Sequence, residues 1–113
     1  MILEAAQLSI KPGRETAFEA AMRQARPLIE ASPGFGGIEV RRSIERPAGY
    51  LLLVWWRTLE DHTVGFRSSE RYQQWRTLLH DFYDPFPTVE HFAPSFLGRK
   101  RILVARPRCG ASS

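Results

Sequence analysis

Tyr50-Leu51-Leu52-Leu53-Val54-Trp55-Trp56, running on into Arg57-Thr58, is the longest uninterrupted apolar stretch of the chain. Seven residues fall well short of the roughly 20 needed to cross a bilayer. The aromatic and β-branched content instead suits a strand. Side chains alternate along a strand, so Tyr50, Leu52, Val54 and Trp56 face one way and Leu51, Leu53 and Trp55 the other. Both faces of this strand are therefore apolar, and both need cover.

The flanking segments say how much cover exists. Upstream, Arg46-Pro47-Ala48-Gly49 reads as a turn. Before it, Ile38, Val40, Arg42 and Ile44 alternate with Glu39, Arg41, Ser43 and Glu45, as in a half-buried strand antiparallel to the third. Ser32-Pro33-Gly34 closes a helix over Arg14 to Ala31, in which Phe18, Ala21, Met22, Ala25 and Ile29 form one apolar stripe. Pro27 is expected to kink that helix near its end. The first strand spans residues 2–10, with Ile2, Ala6, Leu8 and Ile10 at even positions, and Lys11-Pro12-Gly13 stops it. Downstream, Leu59 to Ser68 reads as a short helix capped by Thr58. Ser69 to Phe82 reads as a second, with Tyr72, Trp75, Leu79 and Phe82 as its stripe. Asp84-Pro85-Phe86-Pro87 breaks the pattern, and a fourth strand follows from Thr88 to Phe92. Residues 102–105 offer a short fifth.

The order strand, helix, strand, strand, helical pair, strand predicts an α+β fold: a ferredoxin-like antiparallel sheet with its helices on one face. The helices shelter only one side of the third strand. Leaving the other side wet forfeits roughly 1.5–3 kcal/mol for each large side chain and exposes a patch that monomers seldom carry. Two sheets closing face to face about a twofold axis, as a homodimeric α+β barrel, remove the problem. The alternative cover is the C-terminal tail of the same chain.

Composition bounds the rest. The 113 residues, 13.0 kDa, hold 43% apolar and 25% charged side chains, which suits one globular domain. The net charge of +4 is concentrated at the end: Arg99, Lys100, Arg101, Arg106 and Arg108 follow Gly98, while residues 1–98 carry 11 bases against 12 acids. The chain thus divides into a domain over residues 1–98 and a basic tail over 99–113, and the pI of 9.8 belongs to the tail. No nucleic-acid partner and no membrane association are expected. Met1-Ile2-Leu3-Glu4 has neither a cationic start nor a long apolar segment, and the single cysteine, Cys109, has no intrachain partner. A cytoplasmic domain without a secretory signal is the expectation.

The layout resembles the antibiotic biosynthesis monooxygenase family of small dimeric α+β barrels, over about residues 2–96. Its carriers are the helix entering Ser32-Pro33-Gly34-Phe35 and the hairpin strand ending Trp55-Trp56-Arg57-Thr58-Leu59-Glu60-Asp61. Phe66-Arg67-Ser68-Ser69-Glu70-Arg71-Tyr72 and Thr88-Val89-Glu90-His91-Phe92 complete the set. The family includes quinone-forming oxygenases, haem-degrading enzymes, signalling-molecule-processing members and proteins with no assigned reaction. In the quinone-forming type, which uses neither flavin nor metal, an electron-rich phenol or anthrone loses a proton, and its carbanion reduces dioxygen. Such a protein needs a dry aromatic pocket, a base, and a cation or donor beside the forming anion. Eleven of the 13 aromatic residues lie between Tyr50 and Phe96 and can line the pocket. Trp56, Phe66, Tyr72 and Trp75 are the substrate-binding candidates. His62 and His91 are the candidate bases, because imidazole titrates near neutrality, and Arg57 is the candidate cation. His80, near a helix end, is assigned to the helix dipole.

The haem-degrading branch of the same family is disfavoured at its working residues. It uses an asparagine in the first strand, and this chain contains none; Ala6 or Gln7 stands there. Trp75 falls near that branch's proximal histidine, and an indole does not ligate iron. Histidines at 62, 80 and 91 lack a close-spaced zinc pair, and no glycine loop opens a helix to cradle phosphate. No metal and no cofactor are expected. Two functional readings follow: an oxygenase or related enzyme acting on a small aromatic or apolar molecule, or a non-catalytic barrel that binds an apolar ligand or serves as an interaction module. A histidine facing the aromatic cavity beside a tryptophan, arginine or tyrosine marks the enzyme. A wholly apolar or filled cavity marks the binding module.

Overall fold

A computed structural model describes residues 1–98, so the basic tail at 99–113 and the expected strand at 102–105 lie outside the described residues. The elements are β1 (Ile2–Ser9), α1 (Glu15–Glu30), β2 (Phe35–Arg42), β3 (Gly49–Trp56), a π-helix (Asp61–Phe66), α2 (Glu70–Leu79), a 3-10 turn (His80–Phe82) and β4 (Val89–Phe92). The sheet order is β2-β3-β1-β4 with every pair antiparallel. This is the expected ferredoxin-like sheet, and the helices cover one face of it. Among the described residues no helix is long and apolar enough to cross a membrane.

Alternation in β1 and β3 decides which face is covered. Ala6 and Leu8 pair with Leu52 and Tyr50 across the central ladder, and all four are buried with Val54 and Trp56. Phe18, Met22, Ala25 and Ile29 of α1 pack down on them. Leu51, Leu53 and Trp55 emerge on the opposite face and stay half-exposed in the single chain.

Several boundaries differ from the sequence expectation. Helix α1 is not among them: it runs through Pro27 to Glu30, close to the expected span of 14–31. Pro27 is on the exposed side, where the carbonyl it leaves without a donor meets water. Strand β2 begins at Phe35 and ends at Arg42, so Ile44 is not an inward strand residue but 95% exposed. The chain turns there instead, with Ser43 Oγ accepting from the Arg46 amide. The helix expected over residues 69–82 stops at Leu79 and tightens into the 3-10 turn.

The segment after β3 is helical as expected, but six of its residues are wound as a π-helix. Thr58 and Asp61 cap it reciprocally: Thr58 Oγ1 accepts from the Asp61 amide at 3.1 Å, and Asp61 Oδ2 accepts from the Thr58 amide at 3.2 Å. Gly34 permits this corner. Its φ of +84° favours glycine, and a Cβ there would collide with the Asp61 carboxylate.

Candidate active site

Between the covered face of the sheet and the helical layer lies a cavity of about 390 Å³. Glu4, Ala6, Leu8, Leu52 and Val89 form its floor, Ile29 one end, and His62, Phe66, Arg67, Tyr72 and Trp75 its roof. His80, Tyr83, Phe86 and Pro87 close the remaining side. The roof is an edge-on aromatic cluster: the Phe66 ring centroid is 5.4 Å from Tyr72 and 5.8 Å from Trp75, both near perpendicular. A second groove of about 350 Å³ runs between α1 and β2. It contains no histidine, and its arginines are engaged: Arg23 and Arg42 by Glu19, Arg26 by Glu30. The buried carboxyl and two of the three histidines line the first cavity.

Glu4 is its unexpected member. It occupies the inward register of β1, is only 5% exposed, and accepts a hydrogen bond from Trp56 Nε1 at 2.9 Å. Burial pushes its carboxyl up to about 7, against the lowering effects of the Trp56 hydrogen bond and of Arg67. His62 Nε2 stands 3.4 Å from Glu4 Oε1, and its Nδ1 is 2.8 Å from His91 Nε2. The imidazole stacks on the Trp56 indole, with centroids 5.2 Å apart and planes 12° from parallel. Burial, with Arg67 and His91 adding to it, lowers the His62 pKa to about 3. His62 is therefore neutral at neutral pH, and its approach to Glu4 is not an ion pair. The carboxyl, not the imidazole, titrates in the working range.

The π-helix sets the roof. Its last turn closes from the Arg67 amide to the His62 carbonyl, five residues back. That wider turn brings residue 67 beneath residue 62, so His62, Phe66 and Arg67 share the face over the cavity.

The cavity thus joins His62, Phe66, Tyr72 and Trp75 from among the candidates. His91 reaches it only through His62. Trp56 is not a lining residue: fully buried beneath His62, it holds Glu4 and the imidazole in place. Arg57 is not brought to the cavity at all. Its exposed guanidinium pairs with Asp61, with Nε 3.3 Å from Oδ2, because residue 57 leaves β3 on the far side of the capped corner. Arg67 lines the cavity instead. His80 is more than a dipole partner, since it lines the cavity and meets Phe86 edge-on at 4.7 Å. Glu4 carried a legible signal, as the one acid among the even-numbered apolar positions of the first strand. Among the described residues no three His, Cys, Asp or Glu side chains gather as a metal-holding set.

The sequence profile of the family described as antibiotic biosynthesis monooxygenase matches residues 1–78. The uncharacterized protein YczJ of Bacillus subtilis (strain 168) is 55% identical over 92 residues, 81% of this chain and 97% of its own. A Bordetella bronchiseptica protein classed with the antibiotic biosynthesis monooxygenases has a crystal structure that superposes with a TM-score of 0.80 at 41% identity. That match covers 84% of this chain and 97% of the other. A variant of SnoaB, a cofactor-independent oxygenase from Streptomyces nogalater, shares the fold at a TM-score of 0.72 and 13% identity, over 90% and 96% of the two chains. With the profile spanning more than half of its length, the chain belongs to the antibiotic biosynthesis monooxygenase family.

Proposed function

We propose that this protein is a cofactor-independent monooxygenase that oxidises a small aromatic substrate in the Glu4–His62 cavity. The observation that carries the reading is the buried Glu4 carboxyl lining an aromatic-walled cavity beside the His62 imidazole, where burial raises its pKa to about 7. A general base works best when its pKa is close to the operating pH. Ionised Glu4 takes a proton from an activated ring CH₂ of the anthrone type. The carbanion gives its electron pair to dioxygen, forming a C–O bond, and protonation makes the hydroperoxide. Loss of water across the O–O bond, with removal of the second C–H proton, leaves C=O. One oxygen atom stays in the product and the other leaves as water. Arg67, at the roof, supplies positive charge beside the developing anion. Phe66, Tyr72 and Trp75 bind the ring, while Trp56 and His62 keep Glu4 in place. The outer face of the sheet is closed by a second copy of the chain.

Oxygen uptake with a panel of anthrones and phenols tests the reading. The protein is expected to consume dioxygen, and Glu4→Gln, which keeps the acceptor for Trp56 but accepts no proton, is expected to lower kcat by about 100-fold or more. Unchanged turnover in Glu4→Gln would remove Glu4 as the base. Ligand binding with no oxygen uptake across the panel would leave an apolar-ligand module in place of an enzyme.

A further inference from the structure

His91 is absent from the cavity wall, yet it completes a line of proton-exchanging groups. Glu4 Oε1 is 3.4 Å from His62 Nε2, and His62 Nδ1 is 2.8 Å from His91 Nε2. Contacts of the longer kind tighten when substrate fills a site. Glu4 and His91 are register partners across β1 and β4, so the backbone ladder fixes both ends. The π-helix lays His62 between them. Strand β4 is the edge of the sheet, and His91 on it is half-exposed. Glu4, by contrast, is only 5% exposed and lines the cavity that substrate is to occupy.

We propose that Glu4, His62 and His91 form a reversible proton wire by which Glu4 exchanges its proton with solvent at the β4 edge while substrate occupies the cavity. This rests on Glu4 as the base of the reaction proposed above and adds the route by which it is ionised. In the protonated state the Glu4 O–H faces His62 Nε2, the His62 Nδ1–H donates to His91 Nε2, and His91 carries its proton on Nδ1. Moving one proton along each link ionises Glu4, leaves both imidazoles neutral with the proton on Nε2, and releases one proton from His91 Nδ1 to water. One proton enters for each that leaves, and nothing is oxidised or reduced.

The surroundings suit this traffic. Trp56 Nε1 donates to Glu4 in either state, and Tyr83 beside Glu4 stays a neutral phenol, its pKa raised by burial and by the Glu4 charge. Arg67 bears on all three members of the wire. Burial and Arg67 hold both imidazoles below the usual histidine range, so neither stores the proton as a cation at neutral pH.

Nitrogen-15 NMR of the two imidazoles in the intact, substrate-free protein tests the wire. As the pH rises from mildly acid to mildly alkaline, His62 and His91 are both expected to switch from the Nδ1–H to the Nε2–H tautomer, at the midpoint of the Glu4 carboxyl. In Glu4→Gln the amide oxygen takes the Oε1 place, accepting from Trp56 Nε1 and permanently from His62 Nε2–H, so both rings should stay Nε2–H and the switch at His91 should vanish. A purely structural His62–His91 contact produces no switch shared with Glu4. A single His91 tautomer throughout, a midpoint of its own, or a switch that persists in Glu4→Gln would overturn the proposal. Should Glu4→Gln fail to fold, the shared midpoint in the parent protein decides the matter. No substrate enters the experiment, so failure of the wire and failure of the oxygenase reading are separable.

Discussion

Glu4 makes the site an exchange of stability for reactivity, and its titration says at what pH the exchange is felt. Its pKa is about 7 in the folded protein against 4.5 for an ordinary glutamate. Between those values the folded chain holds a proton that the unfolded chain has released, so stability falls as pH rises through the window. The full penalty, about 3 kcal/mol, is present above the folded value and absent below the unfolded one. His62 has the opposite sign. At about 3 folded against 6.5 unfolded, the unfolded chain binds the extra proton, and stability falls as pH drops through that range. Where the windows overlap the two slopes cancel. Glu4→Gln removes only the alkaline penalty, so urea titrations should find it more stable than the parent by up to about 3 kcal/mol at mildly alkaline pH. The advantage should fade as the pH approaches the ordinary glutamate range; an equal gain at both pH values would mean that Glu4 titrates normally. The residue chemistry was only half legible beforehand. Imidazoles at 62 and 91 declare themselves by type, but what each does depends on neighbours 29 and more residues away. Arg57 and Arg67 are alike as sequence, and only the direction in which the chain leaves β3 separates the exposed ion pair from the cavity roof.

At the scale of elements, local periodicity carried the strands and helices well, because alternation and three-to-four spacing are themselves what buries one face. It failed where α and π winding place the same residues inward. His62 and Phe66 are four apart in either case, and the difference shows only at Arg67, which the five-residue closure carries under His62. Nothing in the apolar pattern of residues 59–68 records that choice. The cap does appear in the sequence, as Thr58 three residues before Asp61. It anchors the π-helix at its start, and Asp61 also holds the corner at Gly34. Hydrogen bonds from Thr58 and Arg57 outweigh burial and keep the Asp61 carboxyl below its ordinary range. Thr58→Ala is expected to cost about 1 kcal/mol in urea denaturation, with amide exchange quickened over Asp61–Phe66 more than over α2. Uniform quickening through both helices would mean that the cap stabilises the fold as a whole and not this element.

For the whole molecule the decisive feature is the face the helices leave open. Leu51, Leu53 and Trp55 emerge there from β3; their ladder partners on β1 are Gln7, Ala5 and Leu3, and Phe92 pairs with Leu3 from β4. Phe92 is 44% exposed and the three β3 residues are half-buried, so an apolar stripe crosses three strands. Opposite β3 on the other side, Glu39 and Arg41 pair with each other and edge the stripe with charge. An apolar centre with a charged border is the composition of a protein interface, and burial returns roughly 1.5–3 kcal/mol for each large side chain withdrawn from water. The seven-residue apolar run already implied a second cover. It could not say whether the tail or another copy provides it, since both satisfy the same area. Sedimentation of the full chain at micromolar concentration is expected to find a dimer. Leu53→Glu sets a carboxylate against its ladder partner Glu39 at the centre of the stripe, away from the cavity on the opposite face. It should dissociate the dimer while leaving the Glu4 titration in place. A monomeric parent protein at that concentration would assign the cover to the tail.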